Sequence, residues 1–102
     1  MTEHILKTTA LYFDAIERGD KTFEVRRNDR AYQAGDILML ARVQPDEFKP
    51  HVDPRCSRGC CMGRRWLRFR VTYVFAGDPS LRDLGGVIPG YVVLGLGVTG
   101  DE

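Results

Sequence analysis

The stretch WLRFRVTYVF, residues 66–75, alternates between two kinds of side chain without a break. This spacing predicts a half-buried strand with Leu67, Phe69, Val71, Tyr73 and Phe75 facing inward and Arg68, Arg70 and Thr72 facing outward. It is the clearest strand in the chain, and it makes a sheet the framework of the fold.

Other segments supply the neighbours. HILK, residues 4–7, reads as a first short strand. A helix comes next, with Thr8 or Thr9 at its start, Leu11, Tyr12, Ala15 and Ile16 at helical spacing, and Gly19 where a left-handed cap belongs. From Thr22 the period changes to two, with Phe23 and Val25 predicted inside and Thr22, Glu24 and Arg26 outside. Asn28 and Asp29 favour a turn, and Gly35-Asp36 makes a second turn before ILMLARV, a strand apolar on both faces through Leu40. Residues 44–63 hold three of the five prolines and form a loop of a length that is usually functional or mobile. Residues 77–90 are turn-rich, and YVVLGLGV is a final buried strand. Five strands and one early helix point to an α+β, mainly β domain over residues 1–102, built as a small, mostly antiparallel barrel.

Composition agrees with one soluble globular core: 43% of the residues are hydrophobic and 28% charged. The start lacks a basic leader and an apolar run, and the longest near-apolar stretch, YVVLGLGV, is far too short to span a bilayer. A cytoplasmic protein without membrane contact is expected. The net charge of +1 gives no reason for nucleic-acid binding by the molecule as a whole. Its distribution does, because residues 49–70 carry one Lys and six Arg against Asp53 alone.

The densest polar pattern is GDKTFEVRRNDR, residues 19–30. With YFDAIER before it, and with HILK, GDIL, VTYV and GYVVLGL elsewhere, it resembles the ASCH domains, small barrels related to the PUA domains that bind RNA. The match is nearest to a branch of short phage and bacterial proteins that is a domain of unknown function, and it covers most of the chain outside residues 44–63. The resemblance implies a cleft beside the G-x-K-x-x-E-x-R segment that accepts RNA or a nucleoside-like small molecule, with Gly19, Lys21, Thr22, Glu24 and Arg26 at its edge. His4 matches the branch's pattern and joins the candidates.

The chemistry of the side chains suits such a ligand. Arg26, Arg27 and Arg30 match phosphates bidentately, Glu24 accepts from an exocyclic amine, and Lys21 pairs with Glu24 or a phosphate. Arg68 and Arg70 extend the basic surface as a rail for RNA. Tyr12, Tyr91 or Trp66 offers an aromatic face for an unpaired base. Some relatives in the superfamily are amidohydrolases that deacylate a modified cytidine with Lys, Thr and Glu. In this chain Lys21 fits the lysine, but Glu24 stands where the threonine falls and Thr22 is displaced by two residues. Hydrolysis, by Lys21, Thr22 and Glu24 or as weak ribonuclease action, is therefore the alternative to binding.

His51, Cys56, Cys60 and Cys61 are zinc-ligand types, yet one cysteine pair is adjacent and no second cluster exists, whereas zinc loops present spaced pairs from two knuckles. Free thiols are the expectation from the sequence, with no cofactor and no metal assigned.

Overall fold

The computed structural model describes residues 1–46, 51–56, 61, 63–77, 87 and 89–99. In chain order the elements are β1 (Glu3–Thr9), α1 (Ala10–Arg18), β2 (Phe23–Arg27), β3 (Ile37–Val43), β4 (Trp66–Ala76) and β5 (Tyr91–Gly97). The strands form one sheet in the order β1-β3-β4-β5-β2. β1 and β3 run parallel, and the other pairings are antiparallel. The protein is thus α+β and mainly β. No helix among the described residues is long and apolar enough to cross a membrane.

The helix ends as its sequence dictates. Gly19, at φ +89°, takes the left-handed cap, and the N–H groups of Gly19, Asp20 and Lys21 return to the carbonyls of Ile16 and Ala15. That reversal turns Lys21 back toward the start of β2. At the other end Thr9 is the N-cap residue, but its hydroxyl makes no capping bond. Ala10, Phe13 and Ile16 are the buried residues of α1, while Leu11 and Tyr12 are exposed, so the buried stripe keeps the expected Ile16 but runs through Ala10 and Phe13 in the first turns. Phe13 and Ile16 join Leu6, Leu38, Leu40, Val71, Val92 and Leu94 in the core. The long loop after β3 is tied to the helix where it returns, because Arg65 pairs with Glu17 and Arg42 with Asp14 at 2.9 Å. The Arg42 hydrogen bond holds the Asp14 carboxyl below the usual aspartate range.

Three expectations are corrected. The sheet does not close into a barrel: β1 and β2 are its two edges, with no ladder between them. Side chains occupy the space a ladder would need. Arg26 Nη1 donates to the Lys7 carbonyl at 2.8 Å, Arg30 Nη1 to the Ile5 carbonyl at 3.2 Å, and Thr8 Oγ1 to Glu24 at 3.4 Å.

The second correction is the face of β2. Glu24 is 3% exposed, whereas Phe23 and Val25 are 43% and 48% exposed, the reverse of the hydropathy reading. Register decides this. Glu24 stands opposite Leu94, which stands opposite Val74, on the core side; Phe23 lines up with Gly95 and Tyr73, and Val25 with Val93 and Phe75, on the outer side.

Third, β4 keeps its expected phase only through Val71. A register shift between Val71 and Tyr73 inverts the rest of the strand, so Val74 packs on the core while Tyr73 and Phe75 are 68% and 40% exposed. The glycines of β5 make room for it. A Cβ on Gly95 would lie 2.6 Å from Thr72 Oγ1, and one on Gly97 would lie 2.5 Å from Thr72 Cγ2.

Candidate functional site

The open seam between the two edge strands is a cleft of about 490 Å³, within the range of small-molecule sites. Lys7, Thr8 and Thr9 of β1 form one wall, and Tyr12 projects from α1 above it. The opposite wall is Lys21 with Phe23, Glu24, Val25 and Arg26 of β2. Lys21 arrives there because the glycine cap folds the chain back, and its Nζ donates to the Phe23 carbonyl at 2.8 Å. The ammonium also sits 5.1 Å from the Tyr12 ring centre and 4.8 Å from that of Phe23, between two aromatic faces.

Glu24 is the buried acid of this wall. Its Oε1 lies 3.2 Å from Lys21 Nζ, and its Oε2 lies 3.1 Å from Arg26 Nη1 and accepts from Thr8 Oγ1. A buried carboxylate with two cations is held in place electrostatically, but such pairs add little net stability because desolvation offsets the attraction. A carboxylate has about four acceptor positions. Three are used by these partners.

A second depression, about 330 Å³, adjoins the first and shares Val25 and Arg26 with it. Arg27, Arg30 and Tyr91 line it, with Tyr32 against its inner side. Burial pushes the Tyr32 phenol up, against the opposing pull of the Arg26 and Arg30 charges.

The structure brings Lys21, Glu24, Arg26, Arg27, Arg30, Tyr12 and Tyr91 to these two connected hollows. It places other candidates elsewhere. His4 is buried, donates from Nε2 to Asp36 Oδ2 at 2.9 Å, and packs its ring 4.7 Å from that of Tyr32. It supports the wall from behind. Burial pushes the Asp36 carboxyl up, but the His4 bond and the N–H groups of Thr2 and Gln33 outweigh it and hold the carboxyl below its ordinary value. Thr22 is exposed and lines neither hollow; its carbonyl accepts from Leu96 N–H at 3.0 Å. Arg68 and Arg70 are exposed on β4, also outside both, and Arg70 donates to the Thr99 carbonyl at 3.0 Å. Trp66 lines neither.

Thr8 and Phe23, which line the first hollow, and Asp36, which holds His4, are not singled out by the sequence alone. Helical spacing puts Thr8 at the start of α1, and alternation puts Phe23 in the core. A signal exists only for Asp36, whose Gly-Asp turn precedes β3.

In the loop between β3 and β4, His51, Cys56 and Cys61 each bring one ligand atom within 4.8 Å of the others, despite their unpromising spacing. Cys60 lies outside the described residues.

No curated protein matches the chain. One family model does, described as a domain of unknown function, DUF3850, and it aligns with residues 3–96. That span runs from the first residue of β1 to within one residue of the end of β5 and takes in both walls of the cleft. The chain therefore belongs to the DUF3850 family.

Proposed function

We propose that the protein binds RNA or a nucleotide-like ligand in the seam between β1 and β2, with the base in the first hollow and phosphates over the second. The carrying observation is the make-up of that seam: a buried, cation-held Glu24 beside two aromatic side chains at an unclosed sheet edge. Stability alone gives little reason for burying these charges where apolar packing or a backbone ladder would serve. The resemblance of GDKTFEVR to the ASCH and PUA-like segment supports the same reading. Tyr12 and Phe23 offer faces for a base, each such stack contributing about 1–3 kcal/mol. The remaining acceptor position of Glu24 suits an exocyclic amine, and the unused N–H groups of Arg26 and Arg30, with Arg27, suit phosphate.

The hydrolytic alternative uses the same Lys21–Glu24 pair as acid and base. Against its threonine form, Thr22, the threonine of the motif, lies outside the cleft.

A thermal-shift screen of nucleosides, nucleotides and short RNAs, followed by titration of the best binder across salt, tests the proposal. A ligand at 100 times its Kd should stabilise the fold by about 2.7 kcal/mol. For RNA, each phosphate contact should add about 0.7 to the salt slope, and Arg27→Ala should remove one contact. No stabilisation by any of these compounds at low salt would overturn the proposal. Product formation from RNA or an acylated cytidine during the titration would move the protein to the hydrolytic reading.

A further inference from the structure

We propose that His51, Cys56 and Cys61 form a zinc site that pins the loop between β3 and β4. The three residues are spaced five apart, too far for one helical face and out of phase for one strand face. Turns flank them on either side. In the first, Cys56 N–H donates to the Asp53 carbonyl at 3.0 Å and Arg55 N–H to Asp53 Oδ1 at 2.9 Å, bending the chain back toward His51. In the second, Arg64 N–H donates to the Cys61 carbonyl at 3.2 Å, with Gly63 at φ +77° supplying a conformation that other residues rarely adopt.

The result is an imidazole and two sulfurs mutually within 4.8 Å. Tetrahedral zinc, with bonds of about 2.3 Å to sulfur and about 2.0 Å to nitrogen, sets neighbouring ligand atoms roughly 3.5–3.8 Å apart. A contraction of about 1 Å along flexible side chains closes the site. Two thiols and an imidazole select zinc over the oxygen-seeking magnesium and calcium.

The Cys61 thiol already points at a polar partner, donating to the His51 carbonyl at 3.3 Å. On binding, each cysteine releases its proton to solvent and forms a sulfur–zinc bond, while neutral His51 adds a nitrogen; no electron is transferred. Cys61 is buried, Cys56 half-buried and His51 exposed, so the three described ligands run from the protein interior to its surface. A clip of this kind suits a long irregular segment, because binding energy offsets the entropy of ordering it. Arg64 Nη1, which donates to the Arg42 carbonyl at 2.8 Å, anchors the base of the loop to β3.

The experiment is elemental analysis of the full chain, purified without an affinity tag or added metal under reducing conditions, followed by Co(II) titration of the chelator-stripped protein. One zinc per chain is expected, and Co(II) should give the intense visible bands of tetrahedral thiolate coordination. Cys56→Ser with Cys61→Ser should abolish both, and His51→Ala should weaken zinc by at least about 10–100-fold. The circular dichroism of the sheet, unchanged in these variants, separates loss of the site from loss of the fold. Absence of zinc together with a featureless cobalt titration would overturn the proposal. So would zinc retained by the double serine variant, or a Cys56–Cys61 disulfide in the reduced preparation.

Discussion

Two boundaries of the same sheet are finished in opposite ways. Between β4 and β5 the backbone ladder runs from Arg70 to Ala76, and Thr72 is wedged where a Cβ on Gly95 or Gly97 would collide with it. Between β1 and β2 there is no ladder, only Thr8 and Arg26 meeting at Glu24 and two arginines reaching carbonyls across the gap. The first boundary is a closed backbone ladder with a steric stop, which fixes register. The second is ionic and open, which contributes little net stability and leaves unsatisfied bonding capacity. In the proposed reading, stability rests on an interior pairing of the sheet and recognition on the seam between its two edges.

That contrast breaks most sharply if the seam is made apolar. Replacing Lys21, Glu24 and Arg26 together by Met, Leu and Leu should lower nucleotide or RNA affinity at least about 100-fold, or about 2.7 kcal/mol. The same variant should keep or raise its denaturation midpoint, since apolar residues often replace a buried ion group without loss. A large fall in stability would show that the charges hold the fold.

At the β4–β5 ladder, Gly95→Ala should cost about 1–3 kcal/mol in chemical denaturation through overpacking against Thr72. Thr72→Ala in the same chain should recover most of that loss, because it removes the colliding Oγ1. Additive losses would place the strain elsewhere.

A smaller effect belongs to the His4–Asp36 pair behind the second hollow. Asp36 has a lowered folded pKa, so its stabilising contribution is present above the unfolded value and is lost as pH falls below about 4. Asp36→Asn should cost about 1–2 kcal/mol at neutral pH and flatten this acid limb. An unaltered acid profile would remove Asp36 from the account.

Much of the local structure was legible in the sequence. Gly19 announced the helix end, and the continuous apolar run of ILMLARV announced a doubly covered strand. What alternation cannot supply is which of two faces is inside. In β2 the apolar residues suggested Phe23 and Val25, yet pairing with Leu94 turned Glu24 inward. In β4 a single shift at Thr72 inverted the phase halfway, and its cause, the pair of glycines in β5, lies more than twenty residues away. The cleft obeys the same logic. Lys21, Glu24 and Arg26 were visible as a motif, but Thr8 and Lys7 reach them only because the edges of a sheet ordered β1-β3-β4-β5-β2 approach each other. Arg68 and Arg70 looked equally suitable by charge, and their position on the third strand of that order takes them away.

Amide chemical-shift mapping of the isotope-labelled protein during titration with the best-binding nucleotide or short RNA tests the central claim most directly. Saturable shifts centred on Thr8, Lys21, Glu24 and Arg26, extending to Arg27 and Arg30 as phosphates are added, are the predicted result. Shifts confined to the outer face of β4 around Arg68 and Arg70, with the seam unmoved, would contradict it.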